Sequence, residues 1–221
     1  ALSTVFQAVS LYEDVIATAA DDFSLTVSGV ADPDSVPLDD RNLAMRAAKV
    51  LAAATGFDGG VRLEIRKSVP VAGGMGGGSA DAAAALVACN ELWRTGLSQD
   101  RLAELAARLG ADVPFALTGG TAVGTGRGDV LTPALARGRY EWVLITDNEG
   151  LSTPAVYRAF DVVRSEEDRV YVGREEQDPF DVPPSFFEAL LTGDADALAP
   201  CLRNQLEAGS FRLRPDLEDT I

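Results

Sequence analysis

The sequence predicts an α+β chain of two domains, and three observations predict it. Runs of β-branched and aromatic residues open the chain, at 4–9, 14–18 and 23–27. Runs of helical periodicity follow at 41–55, 79–93 and 98–109, separated by glycine- and proline-bearing segments. After 138 a new apolar run, Trp142-Val143-Leu144-Ile145, reads as a buried strand that opens a second unit. The domain limits expected on this basis are 1–138 and 139–221.

The opening runs are divided by short acidic turns, which predicts an antiparallel meander. The segment 32–40 carries two prolines and four aspartates and reads as a loop. Asp39 or Asp40 then caps a helix over 41–55, with Leu43, Ala47, Val50, Leu51 and Ala54 at helical spacing and Gly56 as its stop. Val61-Arg62-Leu63-Glu64-Ile65 alternates as a strand. Ser98 caps the helix to Leu109, whose stripe is Leu102, Leu105, Ala106 and Leu109. Phe115-Ala116-Leu117 and Thr121-Ala122-Val123 read as strands joined across Thr118-Gly119-Gly120. Gly124-Thr125-Gly126-Arg127-Gly128 reads as a hairpin turn. In the second unit, Thr153-Pro154 starts a helix to about 163, 165–184 reads as a surface loop, and 185–191 and 194–206 read as short helices.

Composition narrows the class of function. Nearly half of the 221 residues are hydrophobic, so the chain folds around a core. The net charge is −15 with no histidine, which argues against nucleic acid or anionic membranes as partners. An anion site on such a surface has to be made locally, from backbone N–H groups and a few cations. No apolar run is long enough for a membrane span, and no signal peptide is visible at the start. Cys89 and Cys201 stand alone, Cys89 within an alanine-rich helix as a small core residue, which fits a reducing, cytoplasmic setting. There is no Cys/His cluster of the kind that holds structural zinc.

One stretch carries chemistry: Pro70-Val71-Ala72-Gly73-Gly74-Met75-Gly76-Gly77-Gly78-Ser79-Ala80, between the 61–66 strand and the 79–93 helix. A glycine loop that feeds a helix N-terminus offers unpaired N–H groups and the positive end of the helix dipole, which is an anion site. The other reading is a flexible linker, which is usually flanked by loops rather than by a strand and a helix. Ser79 is placed as the helix N-cap, its hydroxyl serving the helix or a bound ion. The loop has neither the Gly-Lys-Ser/Thr ending of a Walker motif nor the third glycine of a dinucleotide fingerprint. Asp112, in the turn Leu109-Gly110-Ala111-Asp112-Val113-Pro114, is the candidate proton acceptor, because Gly110 and Pro114 fix the backbone around it. On spacing alone an aspartate that only bonds turn N–H groups is the commoner case.

The glycine loop resembles the second motif of the GHMP kinase superfamily. Its doubled glycines around Met75 are similar to those of the branch that phosphorylates 4-diphosphocytidyl-2-C-methyl-D-erythritol in the non-mevalonate route to isoprenoids. The 109–114 turn resembles that branch's L-G-[AS]-D-V-P signature, whose aspartate is the catalytic base. The resemblance implies a two-domain fold, a nucleotide-binding domain followed by an α/β sandwich domain. It also implies ATP with Mg²⁺, held by the loop and Ser79, and the cytidylyl alcohol as small-molecule substrate. Lys67-Ser68-Val69-Pro70 resembles the lead into the loop, which places Lys67 near adenine and phosphates; otherwise Lys67 is a solvated strand end. Asp40-Arg41-Asn42-Leu43 resembles D-x-N-L, which places Asn42 at the adenine side; otherwise it is a helix-start turn. Thr153-Pro154-Ala155-Val156-Tyr157 resembles T-P-x-x-[FY], which implies Thr153 and Tyr157 as substrate contacts with the ring on cytosine; otherwise Tyr157 packs its helix. Ser3-Thr4-Val5-Phe6-Gln7 is similar to the strand after the family's D-G-Y-H loop.

Two family segments have no match here: the early P-x-K-[IV]-N-L stretch with D-G-Y-H, and the late G-[ST]-G motif. The sequence therefore reads as the middle of such a kinase, short at both ends, and a poor catalyst without them. A homoserine or mevalonate kinase, or a non-catalytic nucleotide-binding relative, is the rival reading.

Overall fold

The computed structural model describes residues 3–29, 35–71, 73–147, 149–170 and 182–220, with the backbone only at 167–170. Contacts divide the chain into two units, Ala1–Ala134 and Leu135–Ile221. The first runs β1 (Thr4–Gln7), β2 (Asp14–Ala20), β3 (Ser24–Ser28), α1 (Leu43–Thr55), β4 (Gly60–Arg66), α2 (Gly77–Leu92), α3 (Gln99–Leu109), α4 (Val113–Thr118), β5 (Thr121–Thr125) and β6 (Val130–Pro133).

The strand β4 is the organising one, because Val61, Leu63 and Ile65 alternate onto one face and are fully buried. It takes the centre of its sheet, with β2 antiparallel on one side and β3 parallel on the other. The expected meander is therefore wrong: β4 separates β2 from β3, and β1 pairs with β5 in a second sheet of order β1-β5-β6. Local turns favour a meander, but the strand with a fully buried face takes the central position.

Helices α1 and α2 pack against each other, and α2 also packs against β2 and β4. Alanines make that approach close: Ala44, Ala47, Ala48, Ala82 and Ala85 are completely or almost completely buried beside Leu51 and Leu86. Cys89 sits in this core, and burial pushes its thiol up to about 12. The α3 helix begins as expected, with the Ser98 hydroxyl accepting from the Arg101 amide, and buries Leu102, Leu105, Ala106 and Leu109. The segment 113–118 is a helix rather than the expected strand. Pro114 lies in its first turn, and the Ala116 amide donates to the Asp112 carbonyl. The β5–β6 hairpin forms across 126–129 as the glycine pattern predicts.

The second unit contains α5 (Thr153–Val170), α6 (Pro184–Thr192), α7 (Ala195–Leu198) and α8 (Glu207–Leu213). The strand expected at 142–145 is absent: the run is irregular, with Val143 89% and Ile145 70% exposed. Among the described residues this unit offers no other strand to complete a ladder, and an unpaired strand has nowhere to place its backbone groups. Helix α5 continues past 163 because nothing in 155–170 breaks it, so the expected loop at 165–184 starts later; residues 171–181 lie outside the description. The helix expected over 194–206 is cut by Pro200 into α7 and a 3-10 turn. Helix α8 is not legible in the sequence. It forms against α5 through Gly209, where a Cβ would lie 2.6 Å from the Val156 carbonyl oxygen.

Candidate active site

The loop after β4 turns back at Pro70, whose carbonyl accepts from the Gly73 amide at 3.4 Å. Gly74 (φ 71°) and Gly76 (φ 70°) hold left-handed conformations, and a Cβ on either would meet open space. Glycine is needed there for the backbone turn, and the turn leaves an uncovered surface above it. Gly76 is the N-cap of α2 and the helix starts at Gly77, two residues earlier than expected. Ser79 is therefore not the N-cap. Its amide and that of Ala80 both donate to the Gly76 carbonyl, each at 2.9 Å. Among the described residues, this leaves the Gly77 and Gly78 amides as the open donors of the first turn. Val71 is 42% exposed, Met75 is half-buried, and Ala72 lies outside the described residues.

A cavity of about 370 Å³ opens over this turn. Its wall comprises Pro70, Val71, 73–79, the segment Val36, Pro37, Arg41, Asn42 and Leu43, and at its floor Lys67 and Asp81. Asn42 is the N-cap of α1, replacing the expected Asp39 or Asp40. Its Oδ1 accepts from the Ala44 amide and its Nδ2 donates to the Pro37 carbonyl, both at 2.9 Å. Both ends of the amide are thus engaged in shaping the cavity wall.

Lys67 is no solvated strand end. Its side chain is 4% exposed, and its ammonium donates to Glu13 at 2.6 Å and to Asp81 at 2.7 Å. Sequence reasoning missed Glu13 and Asp81. Glu13 precedes β2 and Asp81 lies one turn into α2, so only the tertiary fold brings them to one lysine. The clue was Asp81 as the one charge in the alanine-rich run 79–89. Both carboxylates are buried, and Glu13 Oε1 and Asp81 Oδ1 find no donor group among the described residues. Burial first, and a hydrogen bond with Asp81 second, push the Glu13 carboxyl up from 4.5 to about 7, against the lowering effect of Lys67. Glu13 also lies directly behind the loop: a Cβ on Gly77 would be 2.9 Å from its Oε1.

Asp112 occupies the N-cap position of α4 but makes no capping bond with its side chain, which is exposed. The turn-bonding alternative therefore does not describe it. Helix α4, which it begins, packs against α2, the helix that the glycine loop feeds. In the second unit, Thr153 starts α5 and is exposed, while Val156 and Ala159 form the buried stripe. Tyr157 is 43% exposed, on the side of α5 away from that stripe.

Fold and loop together define a class: the family model for the GHMP kinases N terminal domain matches residues 42–120, which contain the cavity's glycine turn and Asp112. Over its whole length the chain is 52% identical to the 4-diphosphocytidyl-2-C-methyl-D-erythritol kinase of Arthrobacter sp. (strain FB24), covering 69% of that protein. It is also 52% identical to that of Leifsonia xyli subsp. xyli (strain CTCB07), covering 72% of it. A crystal structure of 4-(cytidine 5'-diphospho)-2C-methyl-D-erythritol kinase superposes over 99% of this chain and 71% of its own, with TM-score 0.70 and 33% identity. The chain belongs to the 4-diphosphocytidyl-2-C-methyl-D-erythritol kinase family of GHMP kinases. Among the described residues no helix is long and apolar enough to cross a membrane.

Proposed function

We propose that the protein transfers the γ-phosphoryl group of ATP to the 2-hydroxyl of 4-diphosphocytidyl-2-C-methyl-D-erythritol. The observation that carries this is the identity of 52%, over the whole of this chain, to kinases of that name. The cavity suits a nucleotide: it is lined by an open glycine turn with open amides at Gly77 and Gly78, and by Asn42 and Arg41. Lys67 contributes by holding the floor together, since its ammonium is already shared by two carboxylates.

Phosphoryl transfer needs little covalent help from a protein; it needs positioning and charge. The glycine amides hold the phosphates in line, and the substrate hydroxyl attacks the γ-phosphorus as the bond to the β,γ-bridging oxygen breaks and ADP leaves. Asp112 takes the hydroxyl proton, a role open to it because its carboxylate is exposed and makes no capping bond. The half-buried Ser79, whose hydroxyl has no partner among the described residues, would be the side chain that helps to hold Mg²⁺. Such an ion supplies neutralisation of phosphate charge when bound. Thr153 and Tyr157 hold the cytidylyl end, with the exposed ring of Tyr157 as a stacking surface for cytosine. Steady-state phosphorylation of the cytidylyl substrate, set against homoserine and mevalonate, is the test. Turnover of either rival at a higher kcat/KM overturns the assignment.

A further inference from the structure

The buried Glu13–Lys67–Asp81 cluster is not explained by phosphoryl transfer itself. One lysine is held between two carboxylates, each with a buried oxygen that meets no donor among the described residues, next to the glycine turn. Glu13 is the member nearest the loop backbone, with Oε1 against Gly77; Asp81 and Lys67 reach the cavity floor. The other charged groups near the end of this sheet are turned outward. Asp14 is exposed, and Arg66, its cross-strand partner, pairs with the half-buried Glu64 at 3.0 Å. From α2 the charged group facing Glu13 is Asp81, and from the end of β4 it is Lys67.

We propose that Glu13 is a positioning residue of the phosphate loop and that nucleotide binding is coupled to uptake of a proton by Glu13. This rests on the reading of the glycine cavity as the nucleotide site. With Glu13 protonated, its O–H bridges to Asp81, Lys67 balances the remaining carboxylate, and the floor beneath the turn is neutral. With Glu13 ionised, the floor carries one net negative charge directly behind Gly77. A polyanion on the loop's open face repels that charge across one layer of backbone, so it draws the equilibrium toward the protonated form. Burial already places this titration near neutrality, so the coupling acts at working pH.

The experiment measures ADP binding by calorimetry from pH 6 to 8.5 for the wild type and Glu13→Gln. Glutamine keeps the shape and supplies an N–H toward Asp81, as the protonated carboxyl does. If occupancy moves the Glu13 equilibrium by one unit, wild-type affinity weakens about five- to tenfold across this range relative to the variant. Titration of ADP itself is common to both proteins and cancels in the ratio. As a second measurement on the wild type alone, binding heats at pH 7.5 in buffers of different ionisation enthalpy should show net proton uptake. This holds the test open if Glu13→Gln folds poorly. Parallel pH profiles, or no proton uptake by the wild type, overturn the proposal while leaving the nucleotide site standing. Absence of ADP binding by the folded wild type overturns both.

Discussion

Replacing Lys67 with methionine separates a structural lysine from a ligand-binding one. The change keeps the length of the stem and removes the ammonium that bridges Glu13 at 2.6 Å and Asp81 at 2.7 Å. All three side chains are at most 4% exposed, so water cannot take over. Removing one partner of a buried ion pair typically costs about 3–5 kcal/mol, because the remaining charge is left uncompensated. For a chain of this size that corresponds to a fall in Tm of about 6–20 °C. The sign of the pH dependence follows from which state binds protons. Burial already raises the Glu13 carboxyl to about 7, so it binds its proton more readily in the folded than in the unfolded chain, and loss of the lysine strengthens that preference. The deficit is then largest above the folded Glu13 value and shrinks as the pH falls toward 5. Urea unfolding without nucleotide at pH 5.5 and pH 8 measures both the size and the slope. Neutralising the whole cluster, with Glu13→Gln, Lys67→Met and Asp81→Asn together, should recover most of the loss. A single variant within about 1 kcal/mol of wild type at pH 8 would refute the view that this lysine's charge is built into the floor.

Three further outcomes are expected. Asp112→Asn should lower kcat by about 10²–10⁴ with little change in nucleotide affinity, read by steady-state kinetics; unchanged turnover removes Asp112 as the proton acceptor. Gly77→Val should damage the loop from behind, since even its Cβ would lie 2.9 Å from Glu13 Oε1 and 3.2 Å from Val69 Cγ1, so both thermal stability and ADP affinity should fall. Retained stability with affinity alone lost would instead place the new side chain in the ligand's space. Tyr157→Ala should weaken the cytidylyl substrate by about 1–3 kcal/mol and leave ATP unaffected, with Tyr157→Phe mild; equal loss for both ligands would mean that the ring serves packing.

The sequence alone determined much of what is local. Helical spacing in α3, its Ser98 cap and its buried stripe were all legible, because each depends on neighbours within a few residues. The glycine loop between a strand and a helix was legible for the same reason, as was the β5–β6 hairpin. Where two local signals competed, the reading failed. Asp39, Asp40 and Asn42 are all good caps, and Asn42 prevailed because its Nδ2 also found the Pro37 carbonyl. Ser79 lost the N-cap position because the left-handed Gly76 started α2 sooner. Strand order was decided at long range: β4 took the middle of its sheet because its face is the one fully buried, and no turn between β2 and β3 announces that. The same holds for Glu13, Lys67 and Asp81. Each is an ordinary charged residue in sequence, in three separate segments, and only packing of α2 on β2 and β4 excludes water from all three. Burial is a property of the assembled fold, and burial is what turns these charges from solvated side chains into the floor of the phosphate loop.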